Sequence, residues 1–162
     1  MLSIYKVCFF GHREIADFRI AEEKTEKLIN ELIKKKEYVE IAVGRDGEYD
    51  QIVSSAVIRA KKNFSYGNCC LICVLPYPRA IFSENKTEFE KYYDEIEICE
   101  ESLCAHPKAA IQKRNQSMID RSDLCVFYVE HKSGGAYATM KYAIKQNKKI
   151  INLYEDKKSL SQ

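Results

Sequence analysis

Gly11-His12-Arg13, Gly44-Arg45-Asp46-Gly47 and Ser133-Gly134-Gly135 are the three places in this chain where residue type and spacing suit phosphate chemistry. Glycine lets backbone N–H groups approach a phosphate, and a helix that starts just beyond adds partial positive charge. Arg13 and Arg114 can supply full charges. Together they point to a pocket for a nucleotide or a nucleotide-like anion. None of the turns spells GxGxxG or GxxxxGK[ST], so dinucleotide oxidoreductases and Walker-type NTPases are not supported.

Other polar residues cluster around these turns, and each carries a plain alternative. His12 is a candidate donor or acid beside the Arg13 clamp, or a loop histidine that merely caps a helix or a carbonyl. Glu48 and Asp50 fall at the start of a helical pattern, where acids suit the positive end in any case. Asp50 is placed to point back over the sheet edge towards a ribose. Asn115 falls close to the apolar stripe of its helix, and a buried asparagine must be hydrogen-bonded, to ligand or to structure. Ser122-Asp123 reads as the pin of a turn.

The elements that must hold these residues alternate in type. Apolar strand-like runs cover Ile4–Phe10, Tyr38–Val43, Cys69–Leu75, Leu124–Val129 and Lys149–Tyr154. Helical spacing covers Asp17–Lys36, Glu48–Lys62, Ala109–Arg121 and Gly135–Gln146. The segment from Arg79 to Lys108 is irregular, with a short helix around Lys86–Tyr92 and a strand at Glu95–Ile98; such segments often serve as lids. The pattern predicts an α/β fold: one Rossmann-like, doubly wound domain over residues 1–154. Its sheet is mostly parallel, with five to six strands and helices on both faces. Residues 155–162 read as a polar tail. All three glycine turns would then emerge at the carboxyl edge, with Gly11 and Gly134-Gly135 on neighbouring strands.

Composition narrows the function classes. The 162 residues carry a net charge of +2 with acids and bases interspersed, so no global basic field announces a nucleic acid, and nucleic acid is an unlikely partner. The lysine pairs and triplet sit near expected helix ends, where lysine suits the dipole. Of the seven cysteines, Cys8, Cys69, Cys70, Cys73 and Cys125 fall in strand-like runs and read as small buried hydrophobes. Cys70-Leu71-Ile72-Cys73 lies in a strand rather than at the turn that a redox or zinc site needs. No metal and no cofactor is expected. No apolar run approaches the ~18 residues of a membrane span, and the chain reads as cytoplasmic with no membrane partner.

Four blocks recur together in one family. Phe9-Phe10-Gly11-His12-Arg13, Gly44-x-x-Gly47-Glu48-Tyr49-Asp50, Arg114-Asn115-x-x-Met118-Ile119-Asp120-x-Ser122-Asp123 and Gly134-Gly135-Ala136 resemble, in this order, the bacterial SLOG-type proteins. SLOG is the Rossmann-like superfamily that groups the DprA and Lonely Guy proteins. The resemblance runs from about Lys6 to Leu153 and is nearest to the small single-domain branch; Pro76–Lys108 matches least. It implies a nucleotide-binding doubly wound domain, with ligand contacts at Gly11, His12, Arg13, Gly44, Gly47, Asp50, Arg114, Asn115, Gly134, Gly135 and Ala136. It also implies a homo-oligomer paired through helices beside the site.

The enzymes of that superfamily cleave N-glycosidic bonds of nucleoside monophosphates, and Lonely Guy enzymes place a glutamate on the helix after their glycine–threonine turn. This chain has no Asp or Glu from Gly134 through Tyr154. A sensor or binding module for a nucleotide-derived ligand therefore leads, with Tyr77 or Tyr137 as candidates to stack on the base. The alternative is an N-glycosidase of the nucleoside 5'-monophosphate phosphoribohydrolase type, or a ribosyl transferase. It would need another carboxylate near the oxocarbenium-like transition state, from Glu48, Asp50 or Asp120. A single-stranded nucleic-acid binder, by analogy with DprA, ranks third.

Overall fold

Eight residues, IYKVCFFG, begin the structured chain, and their alternation shows why a buried central strand results. The computed structural model describes residues 2–64, 66–78 and 86–154. In strand β1 (Ile4–Gly11), Val7 and Phe9 point into one apolar cluster, while Cys8 and Phe10 point into a second on the opposite face. A strand that is buried on both faces needs apolar side chains at consecutive positions. Helix α1 (Phe18–Lys35) follows, capped by the Asp17 carboxylate, which accepts from Ile20 N at 3.2 Å. Then come β2 (Tyr38–Val43), α2 (Glu48–Asn63) and β3 (Cys69–Leu75).

After β3 the chain forms α3 (Lys86–Tyr92), β4 (Glu95–Ile98) and the single turn α4 (Glu100–Leu103). Helix α5 (Pro107–Asp120), strand β5 (Leu124–Tyr128), helix α6 (Gly134–Lys145) and strand β6 (Ile150–Asn152) complete it. Helix α5 starts two residues before the expected Ala109, because His106 Nδ1 accepts from Lys108 N at 3.2 Å and Pro107 fits the first helical position. The last strand is shorter than expected because Asn152 turns its side-chain amide, not its backbone, to both polar groups of Val129. The expected tail, 155–162, and part of the irregular segment, 79–85, lie outside the described residues.

All five strand pairings are parallel, in the order β4-β3-β2-β1-β5-β6. The direction of winding reverses between β1 and β5, where Cys8 faces Cys125 and Gly11 faces Tyr128. Helices α1 and α2 cover one face through Ile29, Ile33, Ile52, Val53 and Val57. Met118, Ile119 and Ala143 of α5 and α6 cover the other. The fold is therefore α/β, with a six-stranded parallel sheet wound on both faces. Cys70 and Cys73 lie within buried β3, on opposite faces. No described helix is long and apolar enough to cross a membrane.

Candidate functional site

Where winding reverses, the two flanking loops lead away from each other and leave a crevice at the carboxyl ends of the strands. A cavity of about 1080 Å³ occupies that crevice in this chain. Its wall includes Gly11, His12 and Arg13 beyond β1, Gly44, Gly47, Glu48 and Asp50 at the start of α2, and Arg114 and Asn115 of α5. Gly134, Gly135 and Ala136 at the start of α6 complete it. All eleven residues expected at the ligand thus stand around one space.

The glycines are there for different reasons. A Cβ on Gly11 would overlap the ring of Tyr49, a fully buried side chain whose hydroxyl bonds Thr25 Oγ1 at 2.9 Å. Gly11 is small to admit Tyr49. Gly47 lets the β1–α1 loop lie against α2, since a Cβ there would meet Arg13 Cα at 3.0 Å. That loop is also bonded to α2: Glu48 N donates to Arg13 O at 2.9 Å, and Glu48 Oε2 accepts from Ile15 N at 2.6 Å. Glu48 therefore holds a backbone N–H while its residue lines the cavity.

His12 ties the two sides of the crevice together. Its Nε2 accepts from Glu130 N at 3.0 Å and from His131 N at 3.3 Å, and its ring lies on that of His131 at 3.7 Å and 8°. An accepting Nε2 requires the neutral ring, with its proton on Nδ1. Burial, and then the neighbouring His131, lower the His12 pKa accordingly, against an opposing pull from Glu130. His12 Nε2 acts as an acceptor for the loop after β5, so at this nitrogen the ring is neither a donor to a ligand nor the cap of a carbonyl.

On the cavity floor, Asp50 and Arg114 approach each other across Gly44, where a Cβ would lie 3.1 Å from an Arg114 guanidinium nitrogen and 3.2 Å from Asp50 Oδ2. Burial pushes the Asp50 carboxyl up to about 6, with Arg114 and the Gly47 N–H pulling the other way. Asp50 Oδ2 also accepts from Gly47 N at 3.3 Å, which caps α2. Arg114, 7% exposed, donates to Val74 O at 3.1 Å and to Asn115 Oδ1 at 3.0 Å. Asn115 Nδ2 in turn donates to Thr139 Oγ1 at 3.0 Å, and Thr139 donates to Gly135 O at 2.9 Å. A continuous polar relay thus runs from the floor to the first turn of α6.

That first turn is open. Ser133 stands at the N-cap of α6 but its hydroxyl makes no capping bond, in contrast to Asp17 at α1 and His106 at α5. Gly134 has φ +86°, a left-handed conformation that favours glycine, with nothing within 4 Å of a Cβ there. Arg13 is exposed at the rim, with Lys108 across the wall. Three residues that the sequence reading missed serve this turn or its approach: Thr139, Gln112 and His131. Thr139 carried one signal, its position four residues after Gly135 in a helix, where a hydroxyl reaches a carbonyl.

Some candidates stand elsewhere. Asp120 does not line the cavity; its carboxylate accepts from the Tyr142 hydroxyl at 2.8 Å on the far part of α5. Tyr77 and Tyr137 do not line it either. Tyr137 packs against the second apolar cluster, with Lys141 Nζ 5.5 Å from its ring centroid. Asp123 pins the turn as expected, accepting from Lys6 N at 2.9 Å.

The same arrangement of strands occurs in solved structures. DNA processing protein A from Helicobacter pylori superposes with a TM-score of 0.66 at 19% identity, over 94% of this chain and 66% of that one. This chain shares that fold. DNA processing protein A (DprA) from Streptococcus pneumoniae gives 0.63 at 14% identity, over 91% of this chain and 49% of that one. The molybdenum cofactor carrier protein of Chlamydomonas reinhardtii gives 0.60 at 14% identity, over 91% and 75%. This chain thus spans about half of the S. pneumoniae protein and two thirds to three quarters of the other two. No family model matches the chain, and no curated protein matches it by sequence.

These neighbours correct one expectation. The dispersed charge argued against a nucleic-acid partner, yet the H. pylori protein, which shares this fold, binds single-stranded DNA. Net charge describes a whole surface, whereas strand binding is decided by the local groove.

Proposed function

We propose that this protein binds a nucleotide or nucleotide-derived ligand at the carboxyl edge of its sheet, as a sensor or binding module. The observation that carries this reading is the uncapped start of α6, which opens on the cavity at Ser133, Gly134 and Gly135. An uncapped helix start offers N–H donors and partial positive charge to an anion. Arg13 at the rim adds a full charge, and the Arg114–Asn115–Thr139 relay orients the turn. No carboxylate lies in α6 itself, which favours binding over the Lonely Guy type of cleavage.

A specific observation favours a second reading. Asp50 lines the cavity with its carboxyl pushed up to about 6, which suits a group that must take or stabilise charge near neutral pH. In an N-glycosidase it would face the ribosyl cation. A thermal-shift screen with nucleoside monophosphates, ADP-ribose, NAD and cyclic nucleotides, followed by mass spectrometry, separates the two. Stabilisation by a ligand recovered intact is the expected result. Release of free base and ribose phosphate, abolished in Asp50→Asn, would establish the hydrolase instead. Binding only to oligonucleotides, weakening steeply with salt, would mean that the chain shares the single-strand binding of its H. pylori fold neighbour.

A further inference from the structure

A cavity that takes a nucleotide must also hold its base, and few rings are placed to do so. Phe10, His12 and His131 are the aromatic rings of the cavity wall among the described residues. Phe10 is buried and stacked on Phe127 at 5.7 Å between centroids. His12 is buried, with one face on His131 and Nε2 engaged by two backbone N–H groups. His131 is exposed, and its one ring contact among the described residues is that with His12.

We propose that His131 is the platform on which the base of the ligand stacks, forming a three-layer pile with His12 beneath. This rests on the nucleotide reading above. His131 is well prepared for the role. Its backbone N–H is held by the same imidazole that supports its ring, so both position and tilt are set before a ligand arrives. Ordering that a binding partner does not have to impose is affinity retained. Base stacking on histidine is a recognised use of the side chain. His131 also lies three residues before Gly134, a stretch of chain that spans at most ~11 Å. His131 and the α6 turn thus line one cavity within a single short stretch of chain. Tyr77 and Tyr137, the aromatic candidates suggested by sequence, are absent from the wall.

Isothermal titration of the full chain with AMP and with ribose 5-phosphate, which lacks the base, tests the assignment. The wild type is expected to bind AMP about ten-fold more tightly than ribose 5-phosphate, on the scale of one base stack. In His131→Ala the two affinities should converge to within about two-fold, with ribose 5-phosphate bound as in the wild type. His131→Phe, which keeps a ring, should retain the preference. An undiminished ten-fold preference in His131→Ala would overturn the platform and leave the nucleotide reading intact. Equal binding of both probes by the wild type would do the same. Failure of the wild type to bind either probe, together with every nucleotide of the screen above, would instead remove the nucleotide reading, and the platform with it.

Discussion

The turn at residues 44–47 and the turn at 133–135 look alike in sequence: each follows a buried strand, bears two glycines and opens a helix. Their uses differ. At the first, the protein supplies its own occupants. Asp50 caps the helix, Glu48 takes the Ile15 N–H, and the Arg13 backbone packs on Gly47. Asp46, Glu48 and Asp50 also bring three carboxylates to that side of the cavity. At the second, the N-cap side chain is idle, Gly134 has open space around it, and α6 carries no acid. A glycine turn is thus an anion site only where nothing in the chain already fills it. The positive end of α2 is matched internally by Asp50; that of α6 has no side-chain cap.

The comparison can be broken by substitution. Gly11→Ala should have the largest effect, because the new methyl overlaps the Tyr49 ring in a core with no room to yield. A loss of about 3 kcal/mol is expected by urea denaturation, in the range of overpacked cores. A loss under 0.5 kcal/mol would mean that Gly11 serves a ligand rather than Tyr49.

Asp50→Asn probes the self-filled turn through pH. The folded-state pKa of Asp50 is raised from 3.8 to about 6, so the folded protein binds the proton more tightly than the unfolded chain. Stability from this group is present below pH 3.8 and is lost as pH rises to about 6. The asparagine variant should therefore gain on the wild type across that window and hold a constant advantage above it, of about 3 kcal/mol at most. A difference that is flat with pH would show that Arg114 fully compensates the carboxylate.

Thr139→Val cuts the relay and leaves the Asn115 amide without its acceptor. A loss of about 1–2 kcal/mol is expected, with weaker binding of inorganic phosphate at the α6 turn. Unchanged phosphate binding would separate that turn from the relay. The smallest effect on stability belongs to Gly135→Ala, within about 0.5 kcal/mol. Its Cβ meets only the end of the flexible Gln112 side chain at 3.2 Å. Phosphate affinity should nonetheless fall, and equal affinity would argue that the open turn is not where the anion sits.

The continuous apolar run of Ile4–Phe10, the helical spacing of Ile52, Val53, Ala56 and Val57, and the position of each turn after a strand were all legible, because burial on one or two faces writes itself into the local pattern. The clustering of Arg13, Arg114 and Gly134 followed from the topology that those elements imply. His131 was not legible. Its significance comes from contact with His12, a residue 119 positions away in sequence, and nothing in the local pattern marks it. Asp120 is the converse case: it sits in a block rich in polar residues, yet it lies outside the cavity wall and accepts from the Tyr142 hydroxyl.

By itself, the sequence determined the order of elements, the two-faced burial of the sheet and the edge at which polar residues gather, since each depends on near neighbours and on the solvent they must avoid. Only the tertiary structure decided which glycine is filled by Tyr49, which helix start is capped, and which histidine keeps an exposed ring. Those outcomes depend on distances between residues far apart in the chain, and the fold sets these distances after the local pattern has done its work.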